Sequence, residues 1–266
     1  MPTATINGMQ MAYHDEGRGR PLLLIHAFPL NSAMWGRQID ALAPRYRVIA
    51  PDLRGFGASA PGTGADSLDQ HADDLAALLD HLKLERAAVV GLSMGGYISF
   101  ALWRRHRGRV AALVLADTRS GADSEEGRQG REKNARLAEE RGPAALAEQM
   151  LPKLLSANAP AALHDELRRI IEGNDRAGIA AALRAMAARP DSTALLPSID
   201  VPTLVIVGTE DALTPPSEAQ AMRAAIPGSR LEGISGAGHI SNVEAPEAFN
   251  LAVDELLRAG DSLRER

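Results

Sequence analysis

The sequence predicts an α/β fold: a doubly wound, mostly parallel sheet flanked by helices, with a helical cap inserted between two strands. Short apolar runs alternate with segments of helical periodicity over residues 1–119 and again over residues 198–266. Continuous apolar runs are typical of strands that are buried on both faces of a parallel sheet. The residues between these regions, 120–197, have no such run and are rich in Ala, Leu and Arg. We therefore predict an α/β core formed by residues 1–119 and 198–266 and a helical cap formed by residues 120–197.

The first part of the core begins as a hairpin and continues as alternating strands and helices. Asn7-Gly8 lies between two strand-like runs, and this dipeptide favours a two-residue hairpin turn. After the hairpin, the pattern predicts strands at 22–25, 47–50, 87–90 and 110–115, and helices at 31–43, 67–82 and directly after Ser93.

The cap is predicted to consist of helices alone, and alternating strands and helices resume after it. Glycine, proline and asparagine residues divide the cap into four predicted helices. These helices are expected at 125–141, 143–155, 159–172 and 176–188. The core then resumes with strands at 203–207 and 230–234, helices at 215–225 and 246–258, and a frayed polar tail at 261–266.

Composition argues against several classes of function. The chain has 266 residues, no cysteine, and a formal net charge of −5 with acidic and basic residues interspersed. We therefore expect no nucleic-acid partner, no thiolate nucleophile and no cysteine-based metal site. The sequence lacks both a secretory signal pattern and an apolar run of membrane-spanning length, so we expect a cytoplasmic protein without a membrane partner. It does not predict the oligomeric state.

The most informative motif is Gly91-Leu92-Ser93-Met94-Gly95-Gly96, which follows a predicted strand and begins a predicted helix. A G-x-S-x-G sequence in this context is typical of a sharp turn that exposes a nucleophilic serine at the sheet edge. The two outer glycines relieve the crowding of backbone around the turn. Ser93 is therefore the candidate nucleophile, and such a serine needs a base and an acid.

The general base is expected among the seven histidines of the chain. His239 follows the last predicted strand, within Gly236-Ala237-Gly238-His239, and therefore lies at the same sheet edge as Ser93. Small residues before it allow the loop to direct its imidazole inward. The histidines within helical runs are expected on solvated faces, and these are His71, His81, His106 and His164.

The acid that orients the histidine is expected to be Asp211. It follows the strand at 203–207, and the order Ser93, Asp211, His239 is the serine–acid–histidine order of a known class of hydrolases. Glu210 is adjacent, but neighbouring side chains point in different directions. Asp117, at the end of the strand at 110–115, is the alternative acid.

An oxyanion hole requires two fixed N–H donors, which we expect from the backbone of Met94 and Phe28. His26 is expected to hold the Phe28 loop through side-chain hydrogen bonds. Asp52 and Arg54 follow the next strand and are expected to form an ion pair that braces the site.

These motifs resemble the α/β-hydrolase fold superfamily, and in particular its small capped esterase and lactonase members, such as 3-oxoadipate enol-lactonases. The resemblance rests on His26-Ala27-Phe28-Pro29, Asp52-Leu53-Arg54-Gly55-Phe56-Gly57, the Ser93 motif, Gly208-Thr209-Glu210-Asp211 and Gly236-Ala237-Gly238-His239. It implies a cofactor-free and metal-free serine hydrolase that cleaves a small ester or lactone through an acyl-enzyme. The substrate pocket is expected to involve Met150, Leu154, Leu155 and Ile240.

The same three residues also serve other chemistries in this fold. Carbon–carbon bond hydrolysis and cofactor-free haloperoxidase or perhydrolase activity are the alternatives, and a non-catalytic ligand receptor is a further one. The cap and loops determine specificity, so the motifs do not distinguish between these functions.

Overall fold

A computed structural model describes residues 1–62 and 67–262, with the side chains of 260–262 excepted, so residues 263–266 of the predicted polar tail lie outside the described residues. In the described part of the chain, eight strands form one sheet in the order β1-β2-β4-β3-β5-β6-β7-β8. The strands are β1 (Thr3–Ile6), β2 (Met9–Glu16), β3 (Arg20–Ile25), β4 (Tyr46–Pro51), β5 (Ala87–Leu92), β6 (Val110–Ala116), β7 (Thr203–Gly208) and β8 (Arg230–Ile234). The pairs β1–β2 and β2–β4 are antiparallel and the others are parallel, which confirms the predicted sheet.

The hairpin and the helices follow most of the predicted pattern. Asn7 and Gly8 both have positive φ, 44° and 81°, as a type I′ turn requires. The predicted helix at 31–43 is instead a 3-10 turn, Ser32–Trp35, followed by a shorter α-helix. The helices are α1 (Gly36–Leu42), α2 (Leu68–His81), α3 (Met94–His106), α4 (Glu125–Leu154), α5 (Ala161–Glu172), α6 (Arg176–Ala187), α7 (Pro216–Ala225), α8 (Ser241–Glu244) and α9 (Pro246–Ser262).

Helices cover both faces of the sheet and bury an apolar core on each. Leu23 and Ile25 of β3 pack on the face covered by α2, α3 and α7, whereas Leu22 and Leu24 pack on the face covered by α1 and α9. Alternate side chains of one strand therefore enter different cores. This two-sided burial is the reason that the strands are continuous apolar runs in the sequence.

The segment between β6 and β7 contains the helices α4, α5 and α6 and a 3-10 turn at Thr193–Ser198, and we refer to residues 120–197 as the helical insertion. The two helices predicted at 125–141 and 143–155 are confirmed: together they make up α4, whose backbone leaves the helical conformation between them at Gly142, with φ 81° and ψ 175°. Pro143 lacks an N–H and cannot continue the hydrogen bonding of the first half, but it is well suited to the first turn of the second half.

The expectation that His71 lies on a solvated face is wrong. Its side chain is fully buried in α2, where it lies one turn before Leu75 on the face that packs against the core. Residues four apart lie on the same face of a helix, so His71 is buried beside Leu75 even though its imidazole is polar. Burial, together with the nearby Arg54, lowers the pKa of His71 to about 3, so this histidine is neutral.

Among the described residues, the helices are too short or too polar for any of them to cross a lipid bilayer.

Candidate active site

Ser93 occupies a strained turn between β5 and α3. Its backbone has φ 54° and ψ −110°, a conformation that residues other than glycine rarely adopt. A Cβ on Gly91 would lie 2.3 Å from the carbonyl oxygen of Gly95, and a Cβ on Gly95 would lie 2.1 Å from the carbonyl oxygen of Ile25. The two outer glycines of the motif are therefore required by close backbone approach, and Ser93 between them lines a cavity.

Ser93, His239 and Asp211 form a continuous hydrogen-bonded chain. The distance from Ser93 Oγ to His239 Nε2 is 2.8 Å, and the distance from His239 Nδ1 to Asp211 Oδ2 is also 2.8 Å. The carboxylate can only accept, so Nδ1 carries the proton and Nε2 is left to accept the hydrogen bond of the serine hydroxyl. All three side chains are largely buried, although they come from positions up to 146 residues apart.

Asp211 is held as a carboxylate by the loop that follows β7. Its Oδ1 accepts hydrogen bonds from the N–H groups of Leu213 and Thr214 at 2.8 and 3.0 Å, and its Oδ2 accepts one from the Thr214 hydroxyl. Burial alone would raise the pKa of Asp211, but the hydrogen bonds from His239 and Thr214 leave that pKa below its usual range. Asp211 is therefore charged at neutral pH, whereas the adjacent Glu210 is exposed to solvent.

Asp117, the alternative acid, lies in the same region but binds other groups. Its Oδ1 accepts the N–H of Gly208 at 2.7 Å, and its Oδ2 accepts the hydroxyl of Ser241. Burial raises the pKa of Asp117 to about 7, although its hydrogen bonds from Ser241 and Gly208 act to lower it. The geometry thus favours Asp211 over Asp117 as the partner of His239.

The two predicted oxyanion donors both neighbour Ser93, Met94 in the chain and Phe28 in the lining of one cavity. Phe28 lines the same cavity as Ser93, and Met94 is the first residue of α3. Among the described residues, no acceptor is found for the backbone N–H of either residue. Both groups are therefore available to a substrate oxygen, and the N–H of Met94 lies at the positive end of the α3 dipole.

His26 fixes the loop that carries Phe28. Its Nε2 accepts the N–H of Leu53 at 3.1 Å, and its Nδ1 lies 3.0 Å from the carbonyl oxygen of Ala27. Burial lowers the pKa of His26 to about 4, so the ring is neutral and joins the loops after β3 and β4.

The expected ion pair between Asp52 and Arg54 does not form, so that expectation is wrong. Asp52 accepts backbone N–H groups from Ser32 and Ala58, at 2.9 and 2.8 Å. Arg54 instead contacts Asp74 of α2 at 2.7 Å, and both side chains are buried. The tight turn between the two residues directs them to opposite partners, and each braces a different side of the loop after β4.

A cavity of about 200 Å³ opens above Ser93 between the sheet edge and the helical insertion. Met150 and Leu154 line it as expected, but Leu155 and Ile240 do not and are buried in the core instead. Ile240 donates its N–H to the carbonyl of Leu154 at 3.1 Å, which joins the loop after β8 to the end of α4. The cavity is lined by Phe28, Ser93, Tyr97, Arg119, Arg131, Asn134, Gln149, Met150, Lys153, Leu154, Met186, Leu213, Thr214 and His239.

Several polar members of this lining were not among the candidate residues. Arg119 could have been found, because it follows β6 by three residues at the same sheet edge as Ser93. Arg131 and Lys153 lie on α4, and no short motif indicates which face of that helix points to the cavity.

The sequence also matches a known family over most of its length. Residues 20–149 and 154–246 match the α/β hydrolase fold. The chain belongs to the α/β-hydrolase fold family. The resemblance predicted from the motifs is therefore confirmed.

Individual members of this α/β-hydrolase family differ in how much of the chain they match. A 3-oxoadipate enol-lactonase of Acinetobacter baylyi is 31% identical and covers 96% of this chain and 96% of its own length. A thermophilic esterase from Thermogutta terrifontis, solved with malate bound, is 41% identical with a TM-score of 0.93, covering 97% of this chain and 98% of its own. A non-heme haloperoxidase of Rhodococcus erythropolis is 42% identical, over 43% of each chain.

Proposed function

We propose that this α/β-hydrolase cleaves carboxylic esters or lactones through an acyl-enzyme intermediate on Ser93. The observation that carries the proposal is the chain of two 2.8 Å contacts from Ser93 through His239 to Asp211, with Ser93 at the floor of a cavity. This arrangement supplies a nucleophile, a base and an orienting carboxylate within hydrogen-bonding distance. The full-length similarity to an enol-lactonase and an esterase supports the same type of bond.

In the proposed reaction, the Ser93 oxygen attacks the carbonyl carbon of the substrate while His239 Nε2 takes the hydroxyl proton. Asp211 stabilises the imidazolium that results and keeps its ring oriented. The backbone N–H groups of Phe28 and Met94 bind the oxygen that becomes negative. His239 then gives the proton to the leaving alcohol, and a water molecule cleaves the acyl-enzyme by the same route in reverse.

We further propose that the helical insertion, residues 120–197, is a cap that forms the outer wall of the substrate site. Met150, Leu154 and Met186 come from this segment and line the same cavity as Ser93. With a volume of about 200 Å³, the cavity is smaller than the roughly 300–1,000 Å³ common for drug-sized ligands. This supports a small acyl group or a small lactone ring as the substrate.

Perhydrolysis and carbon–carbon bond hydrolysis remain the alternatives within this fold. The haloperoxidase relative of Rhodococcus erythropolis matches over 43% of this chain, but a bromoperoxidase structure from Bacillus anthracis, 27% identical with a TM-score of 0.86, covers 97% of it. The extent of the match therefore does not separate hydrolysis from perhydrolysis. A mixture of acetate and hydrogen peroxide tests perhydrolysis directly. A non-catalytic receptor would bind a ligand tightly without multiple turnover.

The proposal is tested by replacing the nucleophile. Ser93→Ala is expected to lower the turnover of p-nitrophenyl acetate by about three orders of magnitude or more, as in other triad enzymes. Ser217→Ala, at an exposed position on α7, is the matched control and should retain wild-type turnover. Equal turnover by Ser93→Ala and wild type would overturn the proposed mechanism.

A covalent probe tests the intermediate separately. A fluorophosphonate should add one label to the wild-type protein and none to Ser93→Ala, as measured by intact-protein mass spectrometry. Kinetics with p-nitrophenyl esters of increasing chain length, simple lactones and enol-lactones would then define the acyl group. A wild-type protein that takes up no label would contradict a nucleophilic Ser93.

A further inference from the structure

Three arginines surround a single buried carboxylate beside the candidate active site. Asp123 is contacted by Arg119 at 2.7 Å, by Arg189 at 2.8 Å and by Arg131 at a shorter distance. We refer to Arg119, Arg131 and Arg189 as the arginine cluster. Burial alone would raise the pKa of Asp123, but Arg131 and Arg189 lower it to about 2, so the carboxylate is charged.

The positive charge of the cluster exceeds the negative charge that contacts it. Three guanidinium groups share one carboxylate, and the buried Nε atoms of Arg119 and Arg189 have no hydrogen-bond partner among the described residues. Two further carboxylates, Glu218 and Asp191, act on Arg119 and Arg189 electrostatically without an ion-pair contact. Asp123 is thus the one carboxylate within ion-pair distance of these guanidinium groups in the part of the chain that the structure describes.

Two arginines of the cluster face the cavity above Ser93. Arg119 and Arg131 line that cavity, and their side chains keep 30% and 20% of their surface exposed. Lys153 from the end of α4 lines it as well, and no aspartate or glutamate is among the lining residues that the structure describes. Arg189 is nearly buried, lies 4.1 Å from the centre of the Tyr97 ring and stabilises the cluster from behind.

We propose that Arg119, Arg131 and Lys153 form a carboxylate-binding subsite, so that the substrate is an ester or lactone that carries a free carboxylate. The inference rests on the proposed function, because it places the anion in the cavity where Ser93 attacks. Asp123 accepts from Nη2 of Arg119, so Nη1 of Arg119 and the ammonium group of Lys153 can donate charge-assisted hydrogen bonds to a substrate carboxylate, and Arg131 adds its positive charge. Phe28, Leu154 and other apolar residues line the same cavity and suit the hydrocarbon part of such a substrate.

A purely structural role for the cluster would need fewer charges. Asp123 precedes α4 and Arg189 follows α6, so their contact alone ties the two ends of the helical insertion together. Arg119 and Arg131 add charge on the cavity side of this tie. Both also contact Asp123, so the proposal rests on where they lie: with Lys153 they supply the positive charge that lines the cavity.

The test uses pairs of esters that differ in one terminal group. For the acyl side, 4-nitrophenyl hydrogen adipate is compared with 4-nitrophenyl hexanoate; for the alcohol side, 4-acetoxybenzoate is compared with 4-methylphenyl acetate. The wild-type protein should prefer the carboxylate member of at least one pair by about 10-fold or more in kcat/KM, as expected for one charge-assisted interaction. A preference for the neutral member of both pairs would overturn the proposal.

Replacement of Arg131 tests the residues. Arg131→Met should lower the ratio of kcat/KM for the charged and neutral members by about 10-fold, mainly through KM, because one charged hydrogen-bonding group is lost. Asp123 keeps Arg119 and Arg189 as partners in this variant. Arg136→Met, an exposed position on the same helix, is the control for net charge and should leave the ratio unchanged. A ratio that is the same in Arg131→Met and wild type would contradict the subsite.

A measurement on the unmodified protein covers the case in which Arg131→Met does not fold. Glutarate should inhibit wild-type hydrolysis of the neutral ester competitively, whereas its uncharged diamide should be at least 10-fold weaker. Equal inhibition by both would overturn the proposal. Loss of turnover of both esters in Ser93→Ala tests the proposed function by itself, so failure of the function and failure of the subsite give different results.

Discussion

Asp117 joins the two loops that carry the partners of Ser93. Its carboxyl group binds the N–H of Gly208, three residues before Asp211, and the hydroxyl of Ser241, two residues after His239. A single buried side chain therefore sets the separation of the acid loop and the histidine loop. We infer that Asp117 is a positioning residue, and its raised pKa makes that role depend on pH.

Asp117→Asn should become more stable relative to wild type as the pH rises. Burial raises the pKa of Asp117 from 3.8 to about 7, so the unfolded chain releases this proton at lower pH than the folded chain. The free energy of unfolding of the wild type therefore falls as the pH rises between these two values. Asparagine does not ionise, so the variant does not lose stability in this way. The free energy of unfolding, measured with urea at pH 5 and pH 8, should show a difference that favours the variant at pH 8. Parallel pH profiles for the two proteins would contradict this prediction.

At the scale of elements, the end of α4 is fastened to the loop that carries the proposed general base. The carboxylate of Glu244 accepts the N–H of Gly238 at 2.8 Å and the N–H of Ser156 at 3.1 Å. Gly238 directly precedes His239, and Ser156 follows the last turn of α4. One side chain of α8 thus links the helical insertion to the position of the imidazole.

Glu244→Gln should therefore affect activity as well as stability. An amide offers a single acceptor oxygen and places an NH₂ group against backbone donors, at a cost of about 1–3 kcal/mol for groups left without a partner. We expect kcat for p-nitrophenyl acetate to fall while KM changes little, because the imidazole is displaced from Ser93 rather than the substrate from the cavity. Glu255→Gln, at an exposed position on α9, is the control and should retain the kcat of wild type. An unchanged kcat in Glu244→Gln would show that the link does not position His239.

At the scale of the whole molecule, the helical insertion contacts the core through backbone as well as side chains. The ideal Cβ of Gly178, in α6, would lie 2.1 Å from the carbonyl oxygen of Gly55, in the loop after β4. Asn174, two residues before α6, donates to the carbonyl of Pro29 at 2.8 Å and accepts the N–H of Gly57 at 2.8 Å. The insertion therefore packs against the loops that follow β3 and β4, and its position determines the shape of the cavity.

Gly178→Ala should disturb the contact between α6 and the loop after β4 and so destabilise the protein. The added methyl group meets backbone atoms that cannot rotate away, and overpacking of this kind costs about 1–3 kcal/mol. Gly130→Ala, in α4, adds the same methyl group with no atom within 4 Å and should stabilise the protein by about 0.5–1 kcal/mol through helix propensity. Thermal unfolding of both variants measures the difference. A stability of Gly178→Ala equal to that of Gly130→Ala would contradict the close backbone contact.

The sequence by itself determined the alternation of strands and helices, the turn at Ser93 and the chain order of Ser93, Asp211 and His239. These features depend on local periodicity and on glycine spacing, which are properties of short segments. Local pattern did not determine that His71 is buried or that Arg54 pairs with Asp74 rather than Asp52.

Only the tertiary structure decided which charged groups meet. Asp123 and Arg189 lie at opposite ends of the helical insertion, and the contact between them exists only after that segment has folded. The same folding brings Arg119 and Arg131 to the cavity above Ser93. The proposed nucleophile and base can thus be predicted from sequence because the sheet edge brings them together, whereas the charge of the proposed substrate site depends on side-chain packing over long distances in the chain.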